Sequence, residues 1–143
     1  MVEAGIRAML AERLGAGVVR KEGRQLVGST MTFNPDLVFG APHAIGDVKY
    51  KLAGGEWDRG DLYQVVAFAA AFRVTEAILV RFRRSDVTPL PDVRVGDIRV
   101  RELTWLADPQ DPAAASAAAL AADIDAWLGD LGGRGAASLH LVA

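Results

Sequence analysis

The chain has 143 residues, a net charge of −2, 51% hydrophobic residues and 24% charged ones, the composition of an ordinary globular domain with one core. It has no cysteine and only two histidines, His43 and His140, far apart in sequence. Disulfides, thiolate metal centres, iron–sulfur clusters and cysteine nucleophiles are thereby excluded, and no histidine pair has zinc-ligand spacing. No apolar run approaches the roughly 20 residues of a membrane span, and the start lacks a basic flank before an apolar block, so a cytoplasmic location is expected. Charge is uneven. Residues 85–130 hold nine acidic and three basic groups, whereas Lys49, Lys51, Arg59, Arg73, Arg81, Arg83 and Arg84 concentrate positive charge in the middle of the chain. A nucleic-acid binder needs such a local basic surface, although a mixed solvated surface has the same composition.

Residues 2–14 place Val2, Ile6, Met9, Leu10 and Leu14 at helical spacing, and Gly15 and Gly17 end that helix. "GVVRKEGRQLVGSTMTF" reads as two short strands around a turn at Glu22-Gly23. "PDLVF" (35–39) and "IGDVKY" are two strands joined closely enough for an antiparallel hairpin. "AGGEWDRG" is a loop, and "DLYQVVAFAAAFRV" is a second helix with Asp61 as its expected N-cap. "EAILVRF" (76–82) is an apolar run that suits a buried central strand. "RRSDVTPLPDVRVG" holds two prolines and reads as a loop, and "DIRVRELTW" (97–105) as a strand with Ile98, Val100 and Leu103 inward. Arg81, Arg83 and Arg84 read as a solvated strand end. Asp111-Pro112 opens a last helix whose Leu120, Ile124, Trp127, Leu128 and Leu131 form one face. Residues 132–143 are a tail in which "SLHLV" forms a short strand or frays. The expected order is α-β-β-β-β-α-β-β-α, an α/β domain with a mixed sheet flanked by helices over residues 1–131.

The chemistry concentrates in the hairpin. If its strands pair as read, Asp36 and Asp47 approach the same end of the sheet. Two carboxylates held together repel, and burial raises the cost. A divalent cation relieves it, and hard oxygen donors suit Mg²⁺ or Mn²⁺. Lys49 lies two residues after Asp47, so the strand period puts both side chains on one face. An ammonium there can support a metal-bound water or the charge growing on a phosphate. The alternative for the same residues is a surface salt bridge on a hairpin. No glycine-rich phosphate loop follows a strand, because "KLAGGEW" lacks the spacing.

"PD…DVK" resembles the PD-(D/E)xK nucleases, which have the restriction-endonuclease-like fold. The fuller pattern "NPDLVF…GDVKYK…DLYQVVAFAAAF" is similar to the nuclease domain of McrC, the cleaving subunit of the McrBC modification-dependent restriction system. The likeness covers residues 1 to about 82, and beyond them it rests on element order. It implies a metal-dependent DNA endonuclease using Mg²⁺ or Mn²⁺. Asp36 and Asp47 would ligate the metal with the carbonyl of Val48, and Lys49 would position or activate the attacking water. Gln64 falls in a Gln-x-x-x-Tyr motif, where it would brace the site or contact the substrate strand. Phe68 stands at the tyrosine position, so the hydroxyl is absent and the ring is left to pack. An acid on the first helix completes many such sites, and Glu3 is the candidate, with Glu12 the competitor. Lys51, Arg59 and Tyr63 would contact the DNA backbone.

The resemblance also implies partners: DNA, an AAA+ NTPase motor subunit, and a homodimer if both strands are cut. McrC proteins carry a region before the nuclease domain that docks on the motor, and this chain begins at the first nuclease helix. It is then a stand-alone module or a piece of a larger protein. The competing class is a non-catalytic DNA-binding or assembly module with the same fold.

Overall fold

The structure, a computed structural model, describes residues 2–15, 17–40, 43–52, 56–83, 90–106 and 113–142, with the side chains of 2–4, 50–52, 83, 106, 113–116 and 132–142 outside that description. Helix α1 is Val2–Leu14. Strands β1 (Val19–Arg20), β2 (Arg24–Gln25), β3 (Thr32–Phe33), β4 (Leu37–Phe39) and β5 (Ala44–Leu52) follow. Then come α2 (Arg59–Phe72), β6 (Glu76–Arg83), β7 (Val93–Val95), β8 (Ile98–Leu106) and α3 (Ala113–Val142). Among the described residues the main sheet has the order β1-β4-β5-β6-β8-β7, and β2 and β3 form a separate two-stranded ribbon. The pair β4–β5 is antiparallel, and β5–β6 and β6–β8 are parallel. This mixed sheet with three helices is the α/β architecture expected of a restriction-endonuclease-like domain.

Strand alternation divides the core into two layers. On one face Leu37, Phe39, Val48, Ile78 and Val80 pack against Ile6 and Leu10 of α1 and Leu120, Ile124 and Trp127 of α3. On the other, Val38, Ile45, Ala77, Leu79 and Val100 pack against Val65, Phe68, Ala69 and Phe72 of α2. Phe68 meets Phe33 edge-on at 5.6 Å, the packing role left to it by the missing hydroxyl. Asp47 and Lys49 continue the alternation of Ile45, so they share the α2 face at the ends of the parallel strands. Gly46 lets the strands close around this point. A Cβ there would meet Ile78 Cγ1 at 2.8 Å and Leu37 Cδ1 at 3.3 Å.

Several elements differ from the expected ones. The turn at Glu22-Gly23 does not join a hairpin. β1 instead pairs with β4, and β2 pairs with β3. The segment read as a proline loop contains β7, which pairs antiparallel with β8 across Gly96-Asp97, and Gly96 takes the left-handed φ of 59° that such a tight turn needs. The N-cap of α2 is Asp58, whose side chain accepts from the Asp61 backbone N–H at 2.9 Å. Asp61 is therefore inside the first turn, and its carboxylate is free of capping. Ile98, Val100 and Leu103 do not share one inward face: Ile98 and Val100 point into the α2 layer and Leu103 into the other, since both faces of β8 are covered. Residues 136–142 extend α3 to Val142 and form no strand. Alanines and leucines there favour the helix, and glycine costs only about 1 kcal/mol per residue within one. Asp111-Pro112 and Arg84 lie outside the described residues.

Candidate active site

The hairpin register sets the site. Leu37 pairs with Gly46 and Val38 with Ile45, so the residues one step earlier and later, Asp36 and Asp47, face each other. The backbone locks them together. Asp36 Oδ2 accepts from Val48 N–H at 2.9 Å, and Asp47 Oδ1 accepts from Asp36 N–H at 3.4 Å. From α1, Arg7 donates to the Asp36 carbonyl at 3.1 Å, holding that helix to the start of β4. Asp47 is only 4% exposed. Burial, and then the neighbouring Asp36 carboxyl, push its carboxyl up to about 7, against the opposing pull of Lys49.

Lys49 supplies that pull. Its Nζ lies 2.8 Å from Asp47 Oδ2, donates to Gln64 Oε1, and stands 3.8 Å from Asp61 Oδ1. Gln64 and Asp61 come from the first turns of α2, three residues apart, and so descend on the site from one helix face. The β5–β6 pairing slips directly after Lys49, so the alternation that aligns Asp47 and Lys49 ends there, an irregularity common beside functional sites.

Sequence reasoning missed the next shell. Arg81 is 5% exposed and does not end in solvent. Its guanidinium reaches Asp61 Oδ2 at 3.1 Å, its Nε faces Glu102 Oε2 at 3.4 Å, and it lies over the Trp57 ring at 5.7 Å. Neither Arg81 Nε nor Glu102 Oε2 makes a hydrogen bond, so their contact is a charge pair and no more. Glu102 Oε1 accepts from Leu90 N–H at 3.3 Å, and Trp57 Nε1 donates to the Pro91 carbonyl at 3.1 Å. The signal was an arginine inside the apolar run "AILVRF" and a glutamate inside "IRVRELTW": charges in strands covered on both faces must find each other.

The cluster Asp36, Asp47, Asp61 and Glu102 against Lys49 and Arg81 leaves a surplus of two negative charges. That surplus, hard oxygen donors and an acid forced towards its neutral form all fit a divalent cation. No three acids or histidines converge on one point among the described residues. Among the described side chains, a cation here would take Asp36 and Asp47, with a backbone carbonyl and water completing the shell. The carboxylates, Lys49 and Gln64 are thus together in space, and Val48 contributes its N–H to Asp36. Arg59 and Tyr63 are exposed on the first turns of α2, Tyr63 at 70%. The side chains of Glu3 and Lys51 lie outside the described residues; that of Glu12, near the end of α1, is exposed. No helix among the described residues is long and apolar enough to cross a membrane.

No protein-family model matches the chain, and no curated protein does. Among solved structures, it is similar to a chain in the tetradecameric assembly of Thermococcus gammatolerans McrB AAA+ hexamers with bound McrC. The TM-score is 0.54 and the identity 16%, over 85% of this chain and 32% of that one. The two therefore share a fold over about a third of the longer chain's length.

Proposed function

We propose that the chain is a metal-dependent DNA endonuclease module of the McrC-like PD-(D/E)xK type, acting in a restriction or defence system. The observation that carries this reading is the buried Asp47 facing the half-buried Asp36, with the Lys49 ammonium 2.8 Å from Asp47. The shared fold with a chain of a McrB–McrC assembly supports it.

In this reading Asp36, Asp47 and the Val48 carbonyl hold Mg²⁺ or Mn²⁺, with Glu3 as a further ligand from α1. The bound cation supplies Lewis-acid charge and makes hydroxide accessible near neutral pH. Lys49 sits where negative charge develops on the phosphate, and Gln64 fixes its ammonium. A water would lose a proton as its oxygen bonds to phosphorus, the P–O ester bond would break, and the leaving oxygen would take up a proton, so that one phosphodiester and one water give a phosphomonoester and a hydroxyl end. Lys51, Arg59 and Tyr63 hold the DNA backbone beside the site. An AAA+ motor subunit brings the module to DNA, and a second copy supplies the cut on the other strand.

Calorimetric titration with Mn²⁺, followed by incubation of the loaded protein with DNA, tests the reading. One Mn²⁺ site per chain is expected, lost in Asp47→Asn, together with cleavage by the parent. DNA binding with neither metal uptake nor cleavage would mean a non-catalytic DNA-binding or assembly module.

A further inference from the structure

We propose that Asp61, Arg81 and Glu102 form a buried brace that sets the position of the Lys49 ammonium, with Asp61 and Arg81 as positioning residues for the nuclease chemistry. The inference rests on the nuclease reading above and adds to it a second layer of residues.

Lys49 and Arg81 are partners in the parallel β5–β6 pair, so two cations stand side by side on the α2 face. Like charges on adjacent strands repel and would drive both side chains apart. Asp61 enters between them from α2 and divides its two oxygens. Oδ2 takes Arg81 at 3.1 Å, and Oδ1 lies 3.8 Å from Lys49. Asp61 therefore attracts Lys49 without capturing it, and the ammonium closes on Asp47 at 2.8 Å instead.

That division depends on Arg81 staying where it is. Its side chain is 5% exposed, and that of Glu102 is fully buried. Glu102 meets the guanidinium at Nε while Asp61 meets it at Nη2, and Glu102 is itself fixed by Leu90 N–H. The Trp57 ring covers the same group. Removing the guanidinium would free Asp61 to take Lys49 as its own partner, which would draw the ammonium away from Asp47. Removing the Asp61 charge would leave Lys49 and Arg81 facing each other with one fewer anion. Either change leaves the carboxylate pair and its hairpin intact, so the reaction slows even when metal and DNA are saturating.

The test compares parent, Asp61→Asn, Arg81→Lys and the double variant Arg81→Met/Glu102→Gln, which leaves no unpaired charge in the core. Three quantities are read: the single-turnover rate of plasmid cleavage with Mn²⁺, the affinities for Mn²⁺ and DNA, and labelling of Lys49 by reductive methylation, followed by mass spectrometry. Asp61→Asn should slow cleavage roughly 10- to 100-fold, the range for residues that orient metal-site groups, and the loss should persist at saturating Mn²⁺ and DNA. Arg81→Lys should recover part of the rate lost in the double variant. Lys49 should be labelled several times faster in Asp61→Asn than in the parent, whether or not the parent cleaves. A parent that cuts, with an Asp61→Asn variant cutting equally fast, overturns the brace and leaves the nuclease reading standing. A parent that does not cut overturns the nuclease reading, and the brace is then decided by the labelling: an unchanged Lys49 rate sinks it.

Discussion

Asp47 lies opposite Asp36 in nearly dry surroundings, and its carboxyl is pushed up to about 7 by burial and by that neighbour. A folded-state pKa above the ordinary value of 3.8 means that the folded chain takes up this proton before the unfolded chain does. The stabilisation is complete below about pH 4 and is lost as the pH rises through about 7. Metal-free protein should therefore melt progressively lower between pH 4 and pH 8, and Asp47→Asn should flatten that dependence and be the more stable form at pH 8. Scanning calorimetry in chelator at several pH values checks this; parallel pH profiles for the two proteins would contradict it. If a divalent cation takes the place of the proton, as proposed above, Mn²⁺ should raise the melting temperature more at pH 8 than at pH 6. Asp36, Asp47 and Lys49 were legible in the sequence because strand period and hairpin length are local rules. Arg81 and Glu102 were not, because their partners come from other elements, and only the pairing of β5, β6 and β8 brings them together.

Helix α2 is the element that delivers Asp61 and Gln64, and its two ends carry opposite signatures. Asp58 caps the N-terminus through the Asp61 N–H, and Asp58→Ala should cost about 1 kcal/mol of stability. At the other end Arg73 adopts the left-handed conformation, with φ at 56°, while its N–H closes the helix onto Ala69 and Ala70 carbonyls. A side chain in that conformation is strained, so Arg73→Gly should stabilise the fold by up to about 1 kcal/mol. Urea denaturation reads both effects, and the same sign for the two substitutions would contradict the assignment of the helix ends. The sequence pattern points to a cap one turn too late, at Asp61, because "DRGD" offers two acids three apart and Gly60 obscures the helix start. The hairpin β7–β8 was present in "VRVGDIRV", where Gly-Asp sits between alternating strands, but the prolines just before it favoured a loop. In β5, Gly46→Ala should cost roughly 1–3 kcal/mol, since Ile78 and Leu37 occupy the space of the added methyl.

The molecule as a whole is a sheet with two differently used faces. One is filled by α1 and α3 with apolar side chains, and the other is shared between the α2 core and the charged end of the parallel strands. This division was partly legible. The long apolar faces of α3 and "EAILVRF" gave the layers, whereas the strand order depended on long-range pairing that no local pattern records. The separate β2–β3 ribbon was hidden for the same reason, its two-residue strands being too short for a periodic signal. In the function proposed above, the charged end of the sheet hydrolyses phosphodiester bonds with a bound divalent cation. Incubation of supercoiled plasmid with the protein and Mn²⁺ tests it most directly, with Asp47→Asn and Lys49→Ala prepared alongside. Nicking or linearisation by the parent is expected, with its loss in chelator and a fall of at least about 100-fold in both variants. Cleavage by either variant at the parent's rate would contradict it.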